Sequence, residues 1–173
     1  MEETHIGVVQ QINVKNDRTT VIFACNNGEK EELNEEINFF NKAQAQWATW
    51  FNDCGIKEGQ IAAIKVEKNG DWIKGLSCTV SGIISIHQHD VLIGTVCTTP
   101  RHSFGAYQLS IPIRVKEGNC YQTKWVFAKF DNLAKTIKKG QQIAARIKNI
   151  KNIFLKDGSQ AISCQAETLT IYG

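Results

Sequence analysis

The stretch DNLAKTIKKGQQIAARIKNI, residues 131–150, decides the expected fold. It reads as a short helix, a glycine turn and a strand that carries cations. Part of it occurs twice. In the first copy, Ile56-Lys57-Glu58-Gly59-Gln60 is followed by IAAIK. In the second, Ile137-Lys138-Lys139-Gly140-Gln141 is followed, after one more Gln, by IAARIK. The two glycines lie 81 residues apart, about half the chain. A repeat of that length indicates two copies of one small domain.

The composition is that of an ordinary soluble globular protein, with 42% hydrophobic and 21% charged residues among 173. No run of about 18 apolar residues exists, so we expect no membrane span. The beginning of the chain, MEETHIG, lacks the basic and apolar regions of a signal peptide, which favours the cytoplasm. The six Cys form no Cys-x-x-Cys pair and read as reduced thiols. We therefore predict no disulfide framework, no metal and no cofactor.

The charge is distributed unevenly along the chain. Residues 1–86 hold 8 Lys and Arg against 12 Asp and Glu, a net charge of −4, whereas residues 87–173 hold 12 against 5, a net charge of +7. Such asymmetry favours a polyanionic partner for the second half alone. The alternative is that the basic surface only keeps the protein soluble.

The first half, residues 1–86, predicts three strands, a helix and two or more further strands. The predicted strands are 6–14, 19–25, about 30–33, 60–66 and one or two within 72–86. The helix is predicted over 35–53, where Phe40, Ala43, Trp47 and Trp50 recur at helical spacing. We interpret that stripe as core or as an interface between domains. This order is typical of an OB-fold, a five-stranded Greek-key barrel.

The second half repeats the same order after a polar break. His87–Asp90 is interpreted as the linker, and its His-x-His as solvated rather than metal-binding. Strands are predicted over 91–97, 106–115, 121–130, 143–150 and 161–172, with a helix over 131–137. The fold class is therefore all-β with short helices: two tandem OB-fold barrels, an acidic one over 1–86 and a basic one over 87–173.

Residues 91–172 resemble bacterial single-stranded DNA-binding proteins, most specifically over WVFAKFDNLAKTIKKGQQIAARIKNI, residues 125–150. Leu133-Ala134 and Lys139-Gly140 stand where the family has Leu-Ala and Lys-Gly. The family's third-strand Trp falls at Lys124 or Trp125. Phe130 matches a base-stacking aromatic, and Phe154 is the nearest match to the stacking aromatic between the last two strands. The family's acidic tail has no counterpart, so recruitment of partners through a tail is not expected.

The resemblance implies sequence-independent binding of single-stranded DNA, without catalysis, in DNA replication, recombination or repair. Aromatic rings stack on any base and cations neutralise phosphates. The stacking candidates are Phe104, Trp125, Phe130 and Phe154, of which we expect about two to contact bases. The phosphate-binding candidates are Arg101, Arg114, Lys124, Lys129, Arg146, Lys148, Lys151 and Lys156.

Two other functions compete with this reading. One is an OB-fold module that binds proteins, such as a replication or primosome accessory, and the other is binding of single-stranded RNA. An enzyme is not expected, because the sequence contains no P-loop, no paired acidic motif and no nucleophile elbow. By analogy with relatives that gather four barrels, we predict a homodimer.

Overall fold

The computed structural model describes residues 2–15, 17–25, 33–40, 57–86, 89–103, 105–130 and 136–172. The chain divides into two compact units, residues 1–80 and 81–173. All regular structure in the described residues is β-strand. None of those residues forms a helix of the length and apolarity that crossing a membrane requires.

Five strands make the first unit: β1 (Glu2–Val14), β2 (Arg18–Cys25), β3 (Leu33–Phe40), β4 (Ile61–Asn69) and β5 (Trp72–Thr79). They close into a barrel in the order β1-β2-β3-β5-β4, with β4 pairing back onto β1. The β3–β5 pair is parallel and the other pairs are antiparallel. A closed five-stranded barrel with this crossover is consistent with an OB-fold.

The inward side chains at one end of this barrel are polar. His5, Cys25 and Glu35 are all buried, and they belong to β1, β2 and β3 in turn. Nδ1 of His5 lies 2.6 Å from Oε2 of Glu35, and its Nε2 lies 2.9 Å from Oε2 of Glu3. The hydrogen bonds with Cys25 and Glu35 raise the pKa of His5 to about 10, although burial opposes them. This end of the barrel therefore favours a positive charge on the imidazole.

Seven strands make the second unit: β6 (Gly82–Ile86), β7 (His89–Thr95), β8 (Arg101–Ser103), β9 (Ala106–Glu117), β10 (Cys120–Phe130), β11 (Gln142–Phe154) and β12 (Gln160–Tyr172). They form one sheet in the order β6-β7-β11-β12-β10-β9-β8. The β10–β12 pair is parallel. Just beyond β7, the Cys97 N–H donates to the Ser110 carbonyl of β9 at 2.8 Å. The sheet therefore curls until the end of β7 meets β9.

The repeated sequence forms the same turn in both units. Gly59 and Gly140 have positive φ angles of 88° and 92°, a conformation that favours glycine. The Gly59 N–H donates to the Val9 carbonyl at 2.6 Å, and the Gly140 N–H donates to the Val96 carbonyl at 2.8 Å. In both turns a Gln side chain accepts the backbone N–H of the Lys three residues earlier at 2.8 Å. The two copies thus join the start of the fourth long strand to the first in the same way.

Two of the predicted elements differ from the structure. Residues 35–40, expected to begin a helix, belong to β3, because Glu35, Ile37 and Phe39 alternate inward at a period of two. The remainder of that helix, and most of the one predicted over 131–137, lies outside the described residues. The two described residues of the second one, Thr136 and Ile137, are not helical.

The division between units also differs from the expected linker. Ile86 pairs with His89, and β6 runs antiparallel to β7. The chain instead divides between Val80 and Ser81. The charge balance of the two parts is unchanged by this shift, because residues 81–86 carry no charge.

Gly7→Ala should destabilise the first unit by about 3 kcal/mol or more, since the new Cβ would overlap the backbone carbonyl of Ala24. Gly94→Ala, at the equivalent position of β7, should cost less, about 1–2 kcal/mol, because its Cβ would overlap a side-chain methyl group of the buried Ile111, which can shift more than a backbone carbonyl in a paired strand. Amide hydrogen exchange of each unit measures both values. Equal losses in the two variants would contradict this account.

Candidate nucleic-acid interface

Strand β10 has one apolar, buried face and one outward face that is partly exposed. Val126 and Ala128 are fully buried, whereas Trp125 is 38% exposed and Lys129 is exposed. Because side chains alternate along a strand, Trp125, Phe127 and Lys129 share the outward face. Of the two positions that the family pattern left open, Trp125 points outward and Lys124 points to the opposite face.

The neighbouring strands extend this face in register. Trp125 stands between Pro112 of β9 and Ala161 of β12. Small and polar side chains flank the next two outward residues: Phe127 lies between Ser110 and Ser163, and Lys129 between Gln108 and Gln165. None of these neighbours is bulky, which leaves the aromatic rings open to a flat ligand.

A bulge in β11 adds cations to the same face. Lys148 pairs with Gln165 and Lys151 pairs with Ser163, so the register shifts between them. Asn149 lies inside the bulge with a φ of +54°, and its Nδ2 donates to Oε1 of Gln165 at 3.2 Å. In a regular strand without a bulge, Lys151, three positions after Lys148, would point to the opposite side. The bulge therefore lets Lys148 and Lys151 both point outward.

We call the resulting surface the basic face; it is defined by Trp125, Phe127, Lys129, Lys148, Lys151, Ser163 and Gln165. Beside it lies an open cleft of about 310 Å³. Its lining consists of Ala106, Lys129, Asn149, Lys151, Ser163, Cys164 and Gln165. Two lysines on the walls and amide groups between them form a cleft that suits a phosphate or a base edge.

Few carboxylates compete for these cations. Lys148 Nζ lies 3.2 Å from Oε1 of Glu167, and both side chains are partly exposed. Within the described residues, no carboxylate lies within 4.0 Å of the amino group of Lys129 or Lys151. Under the cleft, burial raises the pKa of Cys164 to about 11, so this thiol stays neutral. Lys129 and Lys151 are thus the cations on this face most available to an anion.

The hairpin between β11 and β12 projects an aromatic ring and a cation. Phe154 is 74% exposed, an unusual position for so large an apolar side chain, and Lys156 is exposed in the turn. Asp157 accepts hydrogen bonds from the Ser159 hydroxyl and N–H, which lower the pKa of its carboxyl group. The carboxylate is therefore occupied in shaping the turn.

The other predicted site residues lie in different places. Arg101 on β8 and Arg114 on β9 are exposed, and Arg146 is exposed on β11 two residues before Lys148. Phe130 is partly buried and packs against the core, so it lies on the face opposite Trp125. Lys124 is partly buried and pairs with the core residue Ile113, which puts it on that same opposite face. Phe104 lies outside the described residues.

Sequence reasoning missed Phe127 and the polar residues of the cleft. Strand alternation already put Phe127 in phase with Trp125 and Lys129, so that signal was present. Gln165 and Ser163 carry no comparable signal, because their role depends on the parallel pairing of β12 with β10.

No protein-family model matches the chain, and no curated protein matches it. Among solved structures it is similar to the wild-type single-stranded DNA binding protein from Thermus aquaticus, with 13% identity, a TM-score of 0.31 and coverage of 98% of this chain and 91% of that one. It is similar to the small single-stranded DNA-binding protein from Streptomyces coelicolor, with 17% identity, a TM-score of 0.29 and coverage of 52% and 93%.

A third similar structure is the Ifi202 HINa domain in complex with 20-base-pair double-stranded DNA, with 7% identity, a TM-score of 0.28 and coverage of 99% of both chains. At TM-scores near 0.3, these likenesses leave the function of this chain to be inferred from its own surface.

Asn149→Val should destabilise the second unit by about 1–2 kcal/mol, because a β-branched residue is strained at positive φ. Asn149→Gly should change its stability by less than about 0.5 kcal/mol, since glycine adopts that conformation freely. Urea denaturation measures the difference. Equal stability of the two variants would show that the bulge does not hold residue 149 at positive φ.

Proposed function

We propose that this chain is a non-catalytic protein that binds single-stranded DNA without sequence preference, through the basic face of the second unit. The observation that carries the proposal is the row of outward side chains Trp125, Phe127 and Lys129, which the bulge in β11 lines with Lys148 and Lys151. Exposed rings beside cations are what an unpaired strand requires, because its bases are open to stacking while its phosphates run alongside.

The chemistry of the face also supports binding without preference for sequence. Stacking rings accept every base, and lysines contact phosphates, which are the same at every nucleotide. The exposed elements are the hairpin that carries Phe154 and Lys156 and the basic face of the sheet. In an OB-fold, the second and third strands and the loop between the fourth and fifth form the binding surface. In the second unit these are β9, β10 and the β11–β12 hairpin.

The proposal extends to the organisation of the protein. The two units are two OB-folds in tandem, supported by the identical glycine turns and by a parallel pair in each. The acidic first unit contributes little to DNA affinity, because its net charge repels phosphates. The chain acts as a homodimer in the cytoplasm, in DNA replication, recombination or repair.

Trp125→Ala should weaken binding of oligothymidine about 5- to 150-fold, the loss expected from one stacked base at about 1–3 kcal/mol. Trp125→Phe should keep most of the affinity, because a ring remains, but should lose most of the quenching of Trp fluorescence. Fluorescence titration measures quenching, and anisotropy of a labelled oligothymidine measures affinity.

The matched control is Trp72→Ala, which removes a Trp of similar exposure, 42%, from the acidic unit. The affinity of the Trp72→Ala variant for oligothymidine should equal that of the unmodified chain. If the unmodified chain does not bind oligothymidine at low salt, the proposed function is wrong. Tighter binding of oligouridine would instead favour RNA as the partner.

Lys129→Gln combined with Lys151→Gln should lower the slope of log K against log salt concentration by about 1.4, since each phosphate contact to a single strand contributes about 0.7. The measurement is a salt titration of the complex with oligothymidine. Lys65→Gln combined with Lys74→Gln removes the same charge from the first unit and should leave the slope unchanged. A slope that falls equally in both double variants would contradict contacts at the basic face.

A further inference from the structure

The polar end of the first barrel holds three donors of the kinds that bind a transition metal. A ring nitrogen of His5, Sγ of Cys25 and a carboxylate oxygen of Glu35 all lie within 4.8 Å of one another, and all three residues are buried. Imidazole, thiolate and carboxylate are the ligands that Zn²⁺ takes in proteins. The function proposed for the second unit does not involve any of them.

Strand pairing explains why the three donors converge. Gly7 of β1 pairs with Cys25 of β2, and His5 is the next inward residue of β1 beyond Gly7. Phe23 of β2 pairs with Glu35 of β3, and Cys25 is the next inward residue of β2 beyond Phe23. The three side chains are therefore the inward residues at the same end of three adjacent strands. The site is built on strands rather than on loops, so its geometry is held by the barrel.

The separation of His5 Nδ1 and Glu35 Oε2 needs little change to accept an ion. Tetrahedral zinc with bonds of about 2.0–2.3 Å puts its ligand atoms about 3.3–3.7 Å apart. The 2.6 Å separation of His5 Nδ1 and Glu35 Oε2 must therefore widen by less than about 1 Å. Rotation of the Glu35 carboxyl group can supply this, because that torsion has a broad energy minimum.

A fourth residue orients the imidazole. Oε2 of Glu3 lies 2.9 Å from Nε2 of His5, and Lys68 Nζ lies 3.5 Å from the same carboxylate oxygen. A carboxylate that accepts the far N–H of a histidine fixes its tautomer and turns the other nitrogen toward a metal. With Nε2 held by Glu3, Nδ1 is the ring nitrogen that faces Glu35 and would bind the metal. This is the arrangement found around histidine ligands in metal sites.

We propose that His5 Nδ1, Cys25 Sγ and Glu35 bind Zn²⁺ as a clasp that joins β1, β2 and β3. In such a site the cysteine binds as a thiolate and the histidine through an unprotonated ring nitrogen. The cluster of one divalent cation, one thiolate and one carboxylate is then neutral.

The test uses the full chain and Co²⁺ as a spectroscopic substitute for Zn²⁺. Titration of the metal-free protein under reducing conditions should produce a thiolate-to-cobalt charge-transfer band in the near ultraviolet and strong visible bands of a tetrahedral ion. Zn²⁺ should then displace Co²⁺ with one equivalent per chain. Zinc should also raise the midpoint of thermal unfolding of the first unit, because the metal binds only the folded barrel.

Cys25→Ser should abolish the charge-transfer band. Its matched control is Cys78→Ser, which removes another buried thiol of the same barrel from outside the cluster and should keep the band. Glu3→Gln should weaken cobalt affinity about 10- to 100-fold while keeping the spectrum, as expected for a residue that only orients a ligand. Should Cys25→Ser fail to fold, Glu35→Gln must still lose affinity with the band shifted.

Two results would overturn the proposal. One is the absence of any charge-transfer band with the unmodified, fully reduced chain at excess Co²⁺, which would leave His5 and Glu35 as an ion pair only. The other is an equal loss of the band in Cys25→Ser and Cys78→Ser, which would show that cobalt does not bind at these three residues. Neither result bears on the binding of oligothymidine by the second unit.

Discussion

The glycine turn of each unit makes a backbone hydrogen bond that ties the start of its fourth long strand to its first. The Gly59 N–H reaches the carbonyl of Val9 on β1, and the Gly140 N–H reaches the carbonyl of Val96, the residue just after β7. Both glycines have positive φ angles, a conformation that glycine adopts without strain. The repeat in the sequence is therefore the trace of a closure that both units need.

The two units place their polar residues differently. The first unit has polar groups inside, at the end where His5 meets Glu35, and an acidic composition. The second has an apolar interior and cations outside on β10 and β11. The strand pairing of each unit depends on the alternation of buried positions and on the turns, so the outward positions and the ends can carry different residues.

The strands were largely predictable because alternation and glycine turns are local signals. The exception was β3, where a buried carboxylate at an inward position disguised the alternation of Glu35, Ile37 and Phe39. Likewise, the polar break before Val91 looked like a linker because a hairpin turn and a linker have the same composition. Local sequence does not show that β6 pairs with β7.

The site was harder to predict because it depends on pairing between distant strands. The orientation of Trp125 follows from its phase with the buried Val126, but the family pattern alone left it between two positions. Phe130 and Lys124 matched by sequence and still lie on the core side. The convergence of His5, Cys25 and Glu35 was not foreseen, because 30 residues separate His5 from Glu35 and the pairing of β1 with β2 and of β2 with β3 brings them together.

The bulge at Asn149 also has a consequence for how β11 tolerates changes in length. The three-residue step from Lys148 to Lys151 lies opposite the two-residue step from Gln165 to Ser163, so β11 holds one surplus residue here. Deleting either Asn149 or Ile150 would leave Lys151 two positions after Lys148, where plain alternation keeps both lysines on the basic face. Inserting one more residue, with the bulge still absorbing a single surplus residue, would turn Lys151 to the opposite side. The basic face therefore tolerates the loss of one residue at this point but not the gain of one.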